Sequence, residues 1–276
     1  MVTDNAIKIT NQEFQQLSAY IKAHYGIFLK EEKKSILTGR LQQVLLNQGF
    51  NNFTDYYNHL LADKSGKAVV TLVDQVTTNH TFFMREADHF YFFRDSVLPY
   101  LSQNVKNKDL RIWSAACSSG EEPYTLAMFV DEFLGKDKPL WDSKILATDI
   151  SSKVLKIAKS GVYDSQRISP LPSLWKMNYF QKIDNSNHVI TNKIKNEVIF
   201  RKFNLMEPVF PFKKQFHVIF CRNVMIYFDA ETRNALVNKM FDSLENGGYL
   251  FVGHSESISK EIRGCKYIKP AVYRKE

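Results

Sequence analysis

From residue 110 onward, short apolar runs alternate with helical patterns, and no other feature constrains the fold as much. Runs at 110–113, 144–148, 197–203, 216–220 and 249–252 read as strands, and a last strand pattern covers 267–273. Between them, 123–134, 151–159 and 230–244 carry helical spacing, with Ser151 placed to cap the second and Gly161 to stop it. Strand–helix–strand units predict a mostly parallel sheet covered on both faces. The closely spaced strands at the end predict an antiparallel edge. Residues 162–196 interrupt the rhythm with Pro170, Pro172 and a polar stretch at 184–187, which predicts an insertion carrying a small β-hairpin.

Upstream the period is helical. Phe14, Leu17 and Ile21 form one apolar stripe; Leu37, Leu41, Val44 and Leu45 another; Phe53, Tyr56, Tyr57, Leu60 and Leu61 a third; Val69, Leu72, Val73 and Val76 a fourth. These predict four short amphipathic helices in an N-terminal domain over 1–76, ahead of a larger domain over 77–276. One further helical face, from Phe90 to Leu101, leads into the sheet.

Composition excludes several classes. Apolar residues are 44% of the 276-residue chain, too many for a disordered one. No apolar stretch reaches the ~18 residues of a membrane span, so no membrane insertion is expected. The N-terminus shows no basic start and no apolar block, and no signal peptide is expected. Cys117, Cys221 and Cys265 lie far apart without metal-ligand spacing, which suits a reducing, cytoplasmic setting. The seven histidines show no ligand spacing either, and no metal is expected. A net charge of +8 favours acidic partners, although the basic residues are scattered.

Chemistry concentrates at strand ends, where open α/β sheets bind ligands. The run 110–113 ends in Ser114-Ala115-Ala116-Cys117-Ser118-Ser119-Gly120, small residues that let a ligand approach the backbone closely, and then Glu121-Glu122-Pro123 opens a helix. This is not a Gly-x-Gly-x-x-Gly turn. An acidic pair there opposes a phosphate and suits an amine or sulfonium. The next strand ends in Asp149, which can accept from both hydroxyls of a ribose; taken alone it is as readily a cap before Ser151. Together the two sites suggest a nucleoside without phosphates, which S-adenosylmethionine satisfies. Beyond another strand end, Arg222 and Asn223 need partners if buried. Asn79, Thr81 and Arg85 are polar residues in an aromatic-rich segment.

Five motifs carry a resemblance: Thr78-Asn79-x-Thr81-x-Phe83-x-Arg85-Glu86, Trp113-Ser114-Ala115-Ala116, Gly120-Glu121-Glu122-Pro123-Tyr124, Cys221-Arg222-Asn223-Val224-Met225-Ile226-Tyr227-Phe228 and Gly253-His254-Ser255-Glu256. In this order, over nearly the whole chain, they resemble the CheR chemotaxis receptor methyltransferases. The resemblance implies an α/β fold of the class I S-adenosylmethionine-dependent methyltransferase type, a Rossmann-like mixed sheet with a small all-helical N-terminal domain and an inserted β-hairpin subdomain. It implies methyl transfer from S-adenosylmethionine, leaving S-adenosylhomocysteine, to glutamate side chains on the acidic cytoplasmic helices of chemotaxis receptors, as methyl esters.

Carried over by position, Asn79, Thr81 and Arg85 would line the methionine end of the cofactor, Glu122 would hold its amino group and Asp149 its ribose. Asn204 and Leu205 would flank the adenine, and the backbone around Cys221, Arg222 and Asn223 would close the pocket. Arg85 and Tyr227 would lie nearest the transferring methyl. His254 is expected to be structural. Lys30, Lys33, Lys34 and Arg40 make one helix a candidate docking face. The resemblance implies a hairpin that docks a receptor's C-terminal peptide; here its turn, 182–188, is short and lacks glycine, which argues against tethering. A monomer is expected.

Two other readings have weaker support. A nucleic-acid methyltransferase would suit the basic charge, but amino-methylating DNA enzymes carry an Asn/Asp-Pro-Pro-aromatic motif, and this chain has Asn223-Val224-Met225-Ile226. A non-catalytic, cofactor-loaded receptor binder is disfavoured by the presence of Arg85 and Tyr227.

Overall fold

Helix α1 (Asn11–Tyr25) begins at a reciprocal cap: Thr10 accepts from the Glu13 N–H, and Glu13 Oε2 accepts from the Thr10 N–H at 2.8 Å. Glu13 Oε1 also accepts from the Thr54 N–H at 2.9 Å, at the start of α3 (Phe53–Ala62), so one carboxylate joins two helix starts. The computed structural model describes residues 7–77, 80–259, 262 and 264–276. Its contacts divide the chain into two units: one runs to residue 78 and takes in Tyr227–Asp229, the other holds the rest.

The first unit consists of α1, α2 (Lys34–Gln48), α3 and α4 (Lys67–Val76) around a core that includes Leu17, Leu41, Leu45, Phe53, Tyr56 and Leu72. Gly26 and Gly49 end α1 and α2 in left-handed conformations. Residues 227–229 complete this unit. The Phe28 N–H donates to the Tyr227 carbonyl at 2.8 Å, Lys22 Nζ pairs with Asp229 at 2.6 Å, and Tyr227 and Phe228 pack half-buried on the helical core. The basic face expected on α2 is weaker than its sequence suggests. The Arg40 guanidinium donates to the carbonyls of Gln75 and Val76 at the end of α4, and Lys34 donates to Asn11. Lys30 and Lys33 are exposed, beside the equally exposed Glu31 and Glu32.

The second unit opens with α5 (Ala87–Phe92) and α6 (Leu98–Asn104), joined by a π-helical turn at Phe93–Val97. Then come β1 (Ile112–Ala115), α7 (Glu121–Leu134), β2 (Ile145–Asp149) and α8 (Ser152–Ser160). The insertion follows: β3 (Val162–Asp164), α9 (Ser165–Ile168), α10 (Ser173–Tyr179), β4 (Phe180–Lys182), β5 (Asn187–Ile190) and α11 (Asn192–Lys195). The chain returns through β6 (Val198–Lys202), β7 (Phe216–Cys221), α12 (Ala230–Asp242), β8 (Leu244–Val252), β9 (Cys265–Lys269) and β10 (Val272–Lys275).

Among the described residues the main sheet has seven strands in the order β6-β2-β1-β7-β8-β10-β9. The first five are mutually parallel; β10 runs antiparallel to both β8 and β9. Nearly every residue of β1, β2 and β7 is buried, as a sheet covered on both faces requires. The direction of strand addition reverses between β1 and β7, which makes their carboxyl ends the switch point. Paired Phe220 and Phe251 stack at 4.2 Å just beneath it.

Three elements differ from the sequence reading. The run expected as one strand at 267–273 is the β9–β10 hairpin, turned at Ala271 with φ 61°. The expected turn at 246–248 lies inside the continuous strand β8, with an irregular register against β7 there. The inserted hairpin β4–β5 gains a third antiparallel strand, β3. No helix among the described residues is long and apolar enough to cross a membrane.

Candidate cofactor and active site

Beyond β1 the chain passes through left-handed backbone at Ala116 (φ 61°), Ser118 (φ 49°) and Gly120 (φ 97°). For alanine and serine such conformations cost about 1–3 kcal/mol each and persist only where the surroundings enforce them. Here they do. The Cys117 N–H donates to the Thr148 carbonyl at 2.9 Å, and the Ser118 N–H donates to Asp149 Oδ2 at 2.8 Å. Asp149 Oδ1 accepts from the Ser151 N–H at 2.9 Å. The helix cap itself is Ser151, whose Oγ accepts from the Val154 N–H at 3.3 Å, so Asp149 is not the cap that sequence reasoning offered as the alternative to ribose binding; it holds the cap residue and fixes the neighbouring loop.

Glu122, on the first turn of α7, accepts from Ser114 Oγ at 2.7 Å and from Arg222 Nη1 at 3.3 Å. Burial pushes its carboxyl above the ordinary value, and Arg222 pulls the other way. Burial likewise pushes the Cys117 thiol well up, reinforced by the charges of Asp149 and Glu122.

Arg222 is the hub of this site. Its buried guanidinium bridges Glu122 and Glu86 (Nη2 to Oε2, 2.9 Å) and donates to the Arg85 carbonyl at 2.5 Å. Sequence reasoning expected the backbone here to close the pocket; the side chain proves to be the organising group. Glu86 also accepts from Asn223 Nδ2 at 3.0 Å. Burial alone would raise the Glu86 carboxyl, but Asn223 and Arg222 outweigh it and hold the group below its usual range. Arg85 sits between two residues with left-handed backbone, Met84 (φ 61°) and Glu86 (φ 55°), and donates from Nη1 to the His80 carbonyl at 2.7 Å.

Asn223, itself at φ 58°, is held by Glu256. That carboxylate accepts four backbone N–H groups: Asn223 (2.8 Å), Met225 (2.6 Å), Ile226 (3.2 Å) and Gly253 (2.6 Å). Gly253 is required by close approach, since a Cβ there would lie 2.5 Å from Asn223 Nδ2.

The remaining expected residues are placed as follows. Cys221 is the buried last residue of β7. Phe203 donates to the Asp149 carbonyl at 3.0 Å, which sets Asn204 and Leu205 just past β6; Asn204 Oδ1 accepts from Met206, and the Leu205 carbonyl accepts from Lys239. Thr81 is half-buried in the segment before Arg85. Asn79 lies outside the described residues. Tyr227 belongs to the helical unit, so the second unit groups Arg85, Glu122, Asp149, Arg222 and Asn223 without it. His254 Nε2 pairs with Asp88 at 3.0 Å. Glu86, His89 and His254 bring ligand-type atoms within 4.8 Å of one another. Glu86 Oε2 is already paired with Arg222, so a cation there would compete with the guanidinium.

The donor set fits S-adenosylmethionine: a fixed carboxylate at the end of β2, a second on the first turn of α7, a close-approach loop leading from β1 into that helix, and a cation that is already neutralised. A phosphate would face Glu122 and Asp149 directly.

The family model described as the CheR methyltransferase SAM binding domain matches residues 79–273, and the model of the CheR methyltransferase all-alpha domain matches 12–77. The chain belongs to the CheR methyltransferase family. A chemotaxis protein methyltransferase of Borreliella burgdorferi is 43% identical over 98% of this chain and 96% of that protein. Chemotaxis protein methyltransferase 2 of Pseudomonas aeruginosa is 36% identical, covering 96% and 93%, and a probable chemotaxis protein methyltransferase of Rhizobium etli is 37% identical, covering 86% and 90%. S-adenosylmethionine is thus the cofactor, and this CheR chain is a methyltransferase. Two residues that sequence reasoning gave no role are central to its site: Glu86 and Glu256. Both stood in quoted motifs, and the signal available was the company of Arg222 and Asn223, polar groups that burial obliges to find partners.

Proposed function

We propose that this CheR chain methylates glutamate side chains on the acidic cytoplasmic helices of chemotaxis receptors, forming methyl esters. The observation that carries the reading is the Glu122–Arg222–Glu86 array at the β1/β7 switch point, with Arg85 attached to it. The names of the relatives support the chemotaxis context.

S-adenosylmethionine supplies an electrophilic sulfonium methyl. A solvated glutamate has a pKa of ~4.3 and is already ionised at neutral pH, so the acceptor needs no general base. What the protein must supply is alignment and partial removal of water. In this reading Glu122 orients the cofactor's ammonium, and Asp149 takes the ribose hydroxyls. Asn204 and Leu205 flank the adenine, while Asn79, Thr81, Cys221, Arg222 and Asn223 complete the pocket wall. Arg85 aligns the acceptor carboxylate, and Tyr227 bounds the methyl's path. Arg85 positions rather than neutralises, since an anion held too tightly loses nucleophilicity.

The test uses purified full-length chain, radiolabelled cofactor and receptor-containing membranes, with nucleic acid as a competing acceptor. The expected product is base-labile label on receptor, mapped to glutamate by mass spectrometry. Label that resists base, or label on nucleic acid, would overturn the reading.

A further inference from the structure

The cofactor loop is held from two sides. From the sheet, Thr148 and Asp149 bind the N–H groups of Cys117 and Ser118. From the inserted segment come two side chains. The buried Tyr163 of β3 donates its hydroxyl to the Ser119 carbonyl at 2.7 Å. Arg167 of α9 donates from Nη1 to Glu121 Oε1 at 3.0 Å and contacts Ser119 Oγ at 3.4 Å. Ser119 Oγ donates in turn to Glu121 Oε2 at 2.8 Å, so the fully buried Glu121 carboxylate is satisfied from both sides.

Between these ties lies Gly120. A Cβ there would stand 2.9 Å from the Tyr163 hydroxyl oxygen and 3.0 Å from the Ala158 Cβ. Glycine and tyrosine are therefore a matched pair: the missing side chain leaves the room that the phenol fills. The Tyr163 ring also meets Phe83 edge-on at 4.9 Å, two residues before Arg85. One ring thus touches the loop beside Glu122 and the segment that carries Arg85.

We propose that Tyr163 and Arg167 are positioning residues for the cofactor, holding residues 117–121 in the shape that binds S-adenosylmethionine. The proposal rests on the assignment of this loop to the cofactor. Neither residue need touch the ligand. Their part is to hold Ser119 and Glu121, the far side of a loop whose left-handed Ala116 and Ser118 would not keep that shape unaided and are tied from the sheet by Thr148 and Asp149. Linkage makes the coupling reciprocal, so cofactor binding tightens the inserted segment as much as the segment tightens the loop.

A merely structural role predicts something different, and Tyr124 supplies the control. Its buried hydroxyl donates to the Ala158 carbonyl at 2.8 Å, a bond of the same kind that does not involve the loop. Cofactor affinity is measured by calorimetry with S-adenosylhomocysteine on full-length protein, alongside thermal melting. Tyr163→Phe and Arg167→Gln are each expected to weaken binding by about fivefold, the worth of one hydrogen bond. Tyr124→Phe should lower the melting temperature comparably and leave affinity unchanged. Cofactor should also slow amide exchange across 162–168 in the parent, and Tyr163→Phe should abolish that slowing. Equal affinity in all the proteins, or equal weakening in Tyr124→Phe, overturns the proposal. A parent chain that binds no S-adenosylhomocysteine overturns the cofactor assignment of the loop itself, and the proposal falls with it.

Discussion

Arg222 shows how a single buried cation can decide the chemistry around it. With Asn223 its guanidinium holds the Glu86 carboxyl below its usual range against burial, and it opposes the burial that raises Glu122. Arg85→Ala leaves this ion-pair array in place, and we expect turnover to fall at least tenfold with little change in melting temperature, in a radiolabel transfer assay. Asp149→Ala removes the acceptor for Ser118 and Ser151 as well as the proposed ribose ligand, so calorimetry should show weaker cofactor binding and melting a lower stability. Glu256→Gln places an amide NH2 among four N–H donors; the loss should exceed about 2 kcal/mol in a denaturant titration. His89 gives a pH signature. Burial, with Arg222 adding to it, pulls its pKa down from 6.5 to about 4. Between those values the unfolded chain takes up a proton that the folded chain refuses, so stability falls as pH drops from about 6.5 to about 4. His89→Phe should reduce that slope in melts at stepped pH, leaving the part contributed by His217, which burial depresses to about 4 as well. The sequence showed which strand ends carry charge. It did not show Glu86 or Glu256 as organisers, because Arg222 lies 136 positions from Glu86 and Asn223 lies 33 positions from Glu256 along the chain.

At the scale of elements, the parallel strands were legible because β1, β2 and β7 are short, mostly apolar runs bounded by turn residues and buried at nearly every position. The β9–β10 hairpin was not, because its turn bears no glycine: Ala271 adopts φ 61° instead. The three-residue β3 is too short to show a period, and it is recognised only by pairing with β5. β8 was truncated in the sequence reading because glycines usually punctuate, whereas here they sit within the strand at its irregular pairing with β7. Ala271→Gly should relieve the strained turn and raise stability by about 0.5 kcal/mol, the left-handed penalty less the extra chain entropy of glycine. Chemical denaturation of the pair checks this.

At the scale of the whole molecule, the charge of +8 sets long-range behaviour. Attraction to acidic receptor helices would speed encounter at low salt, so initial methylation rates should fall as ionic strength rises. Because Arg40 is committed to α4, Arg40→Gln should lower melting temperature more than it alters that salt dependence, the reverse of Lys30→Gln and Lys33→Gln together.

The strip Tyr227–Asp229 has a temporal consequence. Residues 1–78 emerge from the ribosome long before the strip that Phe28 and Lys22 grasp has been translated. The nascent helical bundle therefore waits, with its Ile27–Phe28 edge uncovered, until residues 227–229, beyond β7, have been synthesised. A gene truncated after codon 78 would encode a bundle permanently stalled at that stage, more readily digested by protease than the same helices in the finished protein.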